Sequence, residues 1–127
     1  MADVAKRLDA AHRALKTFQE LNLPSDDTIV RDAAIQRFEY TFEATWKAAQ
    51  AVLREQFGVA LASSKPVIRA SLENGLLNED EARLALAMVD HRNLTAHTYN
   101  EALAQEIMAA LPAYRELFTK WQERLEL

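Results

Sequence analysis

Apolar side chains recur at helical spacing along most of the chain. In the first segment they lie three and four residues apart, at Val4, Leu8, Ala11, Leu15 and Phe18. This period places them on one face of a helix, which we predict over residues 3–21. Because a helix rarely continues into the residue before a proline, Pro24 marks the end of this element.

The second predicted helix is the longest and ends at Phe57. Ser25 suits its N-cap, Asp26 and Asp27 suit its first turn, and Gly58 suits the position after its last residue. Its polar residues form one narrow line, Asp32, Gln36, Glu39, Glu43, Lys47, Gln50 and Arg54. The rest of the helix is apolar on two sides, one bulky and one rich in alanine. A helix with so wide an apolar arc must be covered on more than one face, and a second subunit is one candidate for covering the second face.

Three further helices follow. A short one is expected over residues 66–73, with a serine cap before Pro66. Asn78 and Glu81 form a capping-box pattern that starts the fourth helix, which we expect to run to about Ala96. Asn100 suits the N-cap of the last helix, and Pro112 inside it is expected to kink or split that helix.

The composition favours the same fold class. Only two glycines and three prolines occur among 127 residues, whereas a sheet-rich chain needs many turns. We therefore predict an all-α single domain over residues 1–127, an up-and-down bundle of four long helices plus one short helix.

Charge and residue types exclude several function classes. The absence of cysteine excludes disulfides and thiol nucleophiles. The net charge of -4 makes DNA or an anionic membrane an unfavourable partner. No segment has the roughly 20 apolar residues of a membrane span, nor does the N-terminus resemble a signal peptide, so a cytoplasmic location is expected.

Polar chemistry concentrates in one stretch, residues 90–101, which reads DHRNLTAHTYNE. On an ideal helix Asp90, Asn93 and His97 lie within about 60° of one another. Asn93 is expected to point into the apolar face, between Arg92 and His97. Tyr99 can join these side chains if the helix unwinds after Ala96, which the cap at Asn100 favours. Asn93 and Asp90 are therefore expected to support Arg92 and His97.

The segment Arg92–Tyr99 has the pattern R-x4-H-x-Y and resembles the motif of the HEPN superfamily. More narrowly, the chain resembles the HepT-like nucleotidyltransferase substrate-binding proteins. The segment IQRFEYTFE in the second helix and the order of the helices are also typical of that group. The resemblance implies a homodimer whose two motifs share a cleft. It also implies a minimal nucleotidyltransferase as partner, in a toxin–antitoxin-like pair.

This resemblance implies a role for each motif residue. Arg92 and His97 would be the catalytic pair of a metal-independent ribonuclease, and Tyr99 would be adenylylated by the partner enzyme. The chemistry is reasonable, because histidine moves protons near neutral pH and arginine holds phosphate oxygens in two hydrogen bonds. The resemblance calls for no cofactor or metal, and the chain has no nucleotidyltransferase signature of its own.

Three functional hypotheses remain open at this stage. The chain is a binding partner and substrate of the nucleotidyltransferase, or a ribonuclease toxin that acts on RNA, or a bundle with no active site. Each residue of the motif also has a purely structural interpretation. Arg92 can pair with Asp90, His91 can be exposed and idle, and Tyr99 can be a packed aromatic. We interpret Glu39 and Glu43 as a solvated line, since the Glu-x-x-His motifs of a two-metal bundle are missing.

Overall fold

The computed structural model of the protein describes residues 2–126, with the side chain of Ala2 left aside. The described residues form five α-helices and no strand, as the sequence predicts: α1 (Ala2–Gln19), α2 (Thr28–Phe57), α3 (Ser64–Glu73), α4 (Glu79–Leu94) and α5 (Glu101–Leu125). A 3₁₀ turn, Thr95–His97, joins α4 to α5. Helix α2 packs against α1, α3 and α5, and α4 packs against α3 and α5. None of these helices is long and apolar enough to cross a membrane.

The start of α2 differs from the prediction. The N-cap is Asp27, not Ser25, because the Asp27 carboxylate accepts the backbone N–H of Ile29 at 2.8 Å. Ser25 instead accepts the backbone N–H of Asp27 through its hydroxyl at 3.2 Å. The other end agrees with the prediction. Gly58 follows Phe57 with a φ of 67°, in the left-handed region that favours glycine.

Local capping signals also set the remaining ends. The capping box of α4 is present, with Asn78 and Glu81 each accepting the other's backbone N–H at 2.8 Å. Asn100 caps α5 as predicted. Helix α3 begins at Ser64, two residues before the predicted start.

Helix α5 runs through Pro112 without a break, so the expectation that it would be split there is wrong. Proline removes one helical hydrogen bond, at a cost of about 3 kcal/mol. Met108, Leu111 and Tyr114 on either side of it are buried, and their packing holds the helix across the missing bond.

The core centres on aromatic side chains between α2 and α5. The ring of Phe38 is fully buried and stacks on Tyr114 at 5.5 Å, with Phe118 at 6.2 Å and Phe42 at 6.5 Å. The alanine-rich side of α2 is covered as well, because Ala48 and Ala51 are buried within this one chain. The wide apolar arc of α2 therefore does not by itself require a second subunit.

Truncation of Phe38 should be costly. We expect Phe38→Ala to lower the free energy of unfolding by about 3–5 kcal/mol, because it leaves a cavity between α2 and α5. Tyr40→Ala, two residues away on the same helix and 39% exposed, should cost about 1 kcal/mol or less. Urea unfolding of both variants measures the difference, and equal losses would contradict this description of the core.

Candidate functional site

The polar motif lies where the backbone leaves α4. The α-helix ends at Leu94, two residues before the predicted end, and the 3₁₀ turn follows. Within this turn the Thr95 hydroxyl donates to the Arg92 carbonyl at 2.9 Å, and the Asn100 N–H donates to the His97 carbonyl at 3.0 Å. The predicted unwinding before Tyr99 is therefore present.

Arg92 faces α2 and meets two carboxylates there. Its guanidinium lies 3.4 Å from Glu43 and 3.8 Å from Glu39, and all three side chains are about one-third exposed. The Nε atom of Arg92 is buried and has no hydrogen-bond partner. The interpretation of Glu39 and Glu43 as a solvated line is therefore wrong. These glutamates hold the arginine of the motif in place.

His97 and Tyr99 lie on the outside of the turn. The His97 Nδ1 atom is 3.4 Å from the Tyr99 hydroxyl, and the rings meet edge to face at 5.9 Å. Tyr99 is 85% exposed, so it is not a packed aromatic residue. Within residues 2–126 no hydrogen bond or ion pair joins Arg92 to His97. In the structure, His97 therefore contacts Tyr99, whereas Arg92 forms ion pairs with Glu39 and Glu43.

Two expected supporting residues lie elsewhere. Asn93 is exposed, not turned into the apolar face, because the last turn of α4 extends beyond the core and the buried residues of this helix end at Val89. Thr95 is the buried polar residue of the segment. Asp90 pairs with Lys65 of α3 at 3.1 Å, so it is not the partner of Arg92.

A groove runs along the polar line of α2 beside the motif; we call it the motif groove. Its larger part is a cleft of about 450 Å³. A second hollow of about 260 Å³ continues it toward Arg92, and the two share Gln36 and Glu39. The cleft is lined mainly by polar residues: Arg31, Asp32, Ile35, Gln36, Glu39, Thr95, Thr98, Tyr99 and Glu101. Its size lies in the range of small-molecule sites, and Tyr99 forms part of its wall.

One ion pair in this wall was not predicted from the sequence. Arg31 donates two hydrogen bonds to Glu101, at 2.7 and 3.0 Å. These hydrogen bonds raise the pKa of Arg31 and lower the pKa of Glu101. Because the two residues are 70 positions apart, no spacing in the sequence points to the pair.

His91 also differs from the prediction, since it is neither exposed nor idle. Its Nδ1 atom lies 2.6 Å from the Tyr114 hydroxyl and its Nε2 atom 2.9 Å from a Glu106 oxygen. These contacts join the end of α4 to α5 directly behind the motif. Burial, with the negative charges of Glu106 and Asp90, raises the pKa of Tyr114 to about 12.

Fold and site together define an all-helical bundle with its polar motif at the junction of α4 and α5. The sequence profile of the family "Nucleotidyltransferase substrate binding protein like" matches residues 6–127. The chain belongs to this family.

Solved structures support the assignment of the fold. A protein from Thermus thermophilus is 56% identical, with a TM-score of 0.89 over 92% of this chain and 99% of that chain. A toxin–antitoxin complex with AMP-PNP contains a similar chain, 19% identical, with a TM-score of 0.78 over 98% of both chains.

A tri-AMPylated HEPN toxin of Shewanella oneidensis, solved in complex with its MNT antitoxin, is 18% identical. Its TM-score is 0.75 over 99% of this chain and 98% of that chain. Among curated proteins no sequence matches.

The hydroxyl of Tyr114 should ionise late. Because its folded pKa of about 12 exceeds the ordinary value of about 10, folding favours the neutral phenol. Its contribution to stability is complete below pH about 10 and is lost as the pH rises through about 12. Absorbance titration of the folded chain should show one late phenol, and Tyr114→Phe should abolish that step. A late step retained in this variant would assign it to another tyrosine.

Proposed function

We propose that this chain is the HEPN-type subunit of a two-component system and that a minimal nucleotidyltransferase binds it and modifies it at Tyr99. One observation carries the proposal. In a chain of this family, Tyr99 stands 85% exposed on the wall of the motif groove, in contact with His97. A buried or packed tyrosine would need local unfolding before an enzyme could reach it.

The similar structures support this assignment. They include a toxin–antitoxin complex with AMP-PNP and an AMPylated HEPN toxin bound to its antitoxin. Both cover nearly the whole of this chain with the same fold. Because a nucleoside triphosphate would be a reactant, we place the system in the cytoplasm.

The modification is a group transfer. The Tyr99 hydroxyl oxygen attacks the α-phosphorus of a nucleoside triphosphate such as ATP, a phosphodiester bond to tyrosine forms, and pyrophosphate leaves. The phenolic proton passes to a base, and His97 Nδ1 lies 3.4 Å from the oxygen that loses it. The chain itself holds no nucleotidyltransferase signature, so the partner binds the triphosphate.

Cleavage of RNA is the second candidate function, favoured by the presence of an arginine and a histidine five residues apart where α4 ends in the 3₁₀ turn. In this reaction a ribose 2′-hydroxyl attacks the adjacent phosphorus, the 5′-oxygen leaves, and a 2′,3′-cyclic phosphate forms. His97 would accept the 2′-hydroxyl proton, and Arg92 would stabilise the charge on the phosphate oxygens. The leaving oxygen takes a proton from water or from the histidine of a second copy.

RNA cleavage would require Arg92 to leave its present ion pairs in the motif groove. Glu39 and Glu43 already neutralise Arg92, and Asp32 adds a further negative charge to the wall. An RNA phosphate must therefore draw Arg92 away from these carboxylates. We propose that a homodimer assists this step by bringing a second Arg92–His97 pair to the groove.

Modification of Tyr99 should be visible by intact mass. After co-expression with the nucleotidyltransferase encoded beside it, the chain should gain one or more adenylyl groups. Tyr99→Phe should abolish the gain, because it removes only the accepting oxygen. Tyr40→Phe, which removes the hydroxyl of another exposed tyrosine, should leave the gain intact. A gain that survives in Tyr99→Phe would move the modification to another residue.

The ribonuclease hypothesis predicts toxicity. Expression of the chain alone should arrest growth, and either Arg92→Ala or His97→Ala should relieve the arrest, because each removes one half of the catalytic pair. His12→Ala is the control, since His12 lies on α1 and pairs with Glu126. Harmless expression of the native chain would count against the enzyme. If both motif variants changed stability alone, the bundle would have no active site.

A further inference from the structure

The segment that carries Tyr99 is held mainly by bonds within itself. In the described part of the chain, the polar side chains and turn amides of residues 95–103 bond to neighbours no more than four positions away, with one exception. The exception is the pair between Glu101 and Arg31, which reaches from the start of α5 to the first turn of α2. Among the hydrogen bonds of the described residues, this pair is therefore what ties the segment to α2, since the others join it only to its immediate neighbours in the chain.

The geometry of this pair suits a rigid link. The two terminal guanidinium nitrogens of Arg31 each donate to a different carboxylate oxygen of Glu101, and such bidentate pairs fix orientation as well as distance. The Arg31 side chain is only 14% exposed, so the arginine is held in place by its surroundings, while the Glu101 side chain is 61% exposed and reaches it from the solvent side. Gln105 adds a hydrogen bond to Glu101 at 3.0 Å.

Tyr99 depends on this link because its own side chain has little support. Its hydroxyl has one long contact, to His97, and its ring is almost fully exposed. Its position is therefore set by the backbone of Thr98–Asn100, and that backbone leads directly into Glu101. Arg31 and Glu101 also line the same cleft as Tyr99.

We propose that Arg31 and Glu101 are positioning residues for Tyr99: their ion pair fixes the Thr98–Asn100 segment so that the tyrosine hydroxyl is presented to the nucleotidyltransferase. This inference rests on the proposed function, because it assumes that Tyr99 is the accepting residue. In the group transfer described above, neither residue touches the triphosphate. They act through the backbone of the segment, and small misplacements of a reacting group slow reactions strongly.

The test compares two glutamates that each pair with an arginine of another helix. Glu101→Gln weakens the pair beside Tyr99, since an amide offers only one acceptor oxygen. Glu81→Gln is the matched control. Glu81 pairs with Arg124 at the opposite end of α4, roughly 20 Å along the helix from the motif, and glutamine preserves its capping box.

Adenylylation rates are then measured over a range of concentrations of the chain. We expect Glu101→Gln to lower kcat about tenfold or more with KM for the chain little changed. The charge swap Arg31→Glu with Glu101→Arg should restore most of kcat. Glu81→Gln should match the native chain. A raised KM with unchanged kcat would make the pair a docking contact instead, and equal losses in both glutamine variants would reduce it to a stabilising pair.

Hydrogen exchange of the isolated chain separates failure of this inference from failure of the proposed function. Amides of residues 98–104 should exchange about tenfold faster in Glu101→Gln than in Glu81→Gln. Equal protection would overturn the positioning role. If the native chain accepts no adenylyl group, the role in modification fails together with the proposed function, yet the exchange comparison still shows whether the pair holds the segment.

Discussion

Helix α2 sets the constraint on which the rest of the structure depends, because it is buried on two sides and its one polar line forms the wall of the motif groove. Neighbouring residues on it have opposite roles. Phe38 lies at the centre of the aromatic core, while Glu39, the next residue, faces Arg92. The packing that fixes Phe38 therefore also fixes the carboxylates of the site. A shift of this helix would disturb the core and the motif groove together.

The second element of the site is the early end of α4. Its last buried residue is Val89, and beyond it the helix leaves the core, unwinds into a 3₁₀ turn and exposes His97 and Tyr99. Two contacts to other helices hold this region in place. His91 joins it to α5 through Tyr114 and Glu106, and Glu101 joins it to α2 through Arg31. His97 and Tyr99 are thus exposed on a supported backbone.

Much of this arrangement could be predicted from local signals. Gly58, the capping box at Asn78 and the cap at Asn100 act within a few residues, so the sequence states them directly. The R-x4-H-x-Y pattern indicates the position of the motif for the same reason. The cap of α2 differs from the prediction because Ser25 and Asp27 are both good caps, and only the geometry of the chain selects between them.

The remaining differences come from contacts between distant residues. The sequence does not show the role of His91, because Tyr114 and Glu106 lie on another helix. The same is true of Glu39 and Glu43, whose partner Arg92 lies on α4. Asn93 is exposed for a related reason, since an ideal helical wheel cannot show that the last turn of α4 extends beyond the core. Pro112 is tolerated because burial on both sides outweighs one lost hydrogen bond.

The two proposed functions meet in one central claim, that modification of Tyr99 controls RNA cleavage by Arg92 and His97. The most direct measurement is RNA cleavage by the purified chain in the presence of a metal chelator, before and after adenylylation by its partner. We expect the unmodified chain to cleave RNA and the modified chain to leave it intact. Equal cleavage by both forms, or none by either, would contradict this claim.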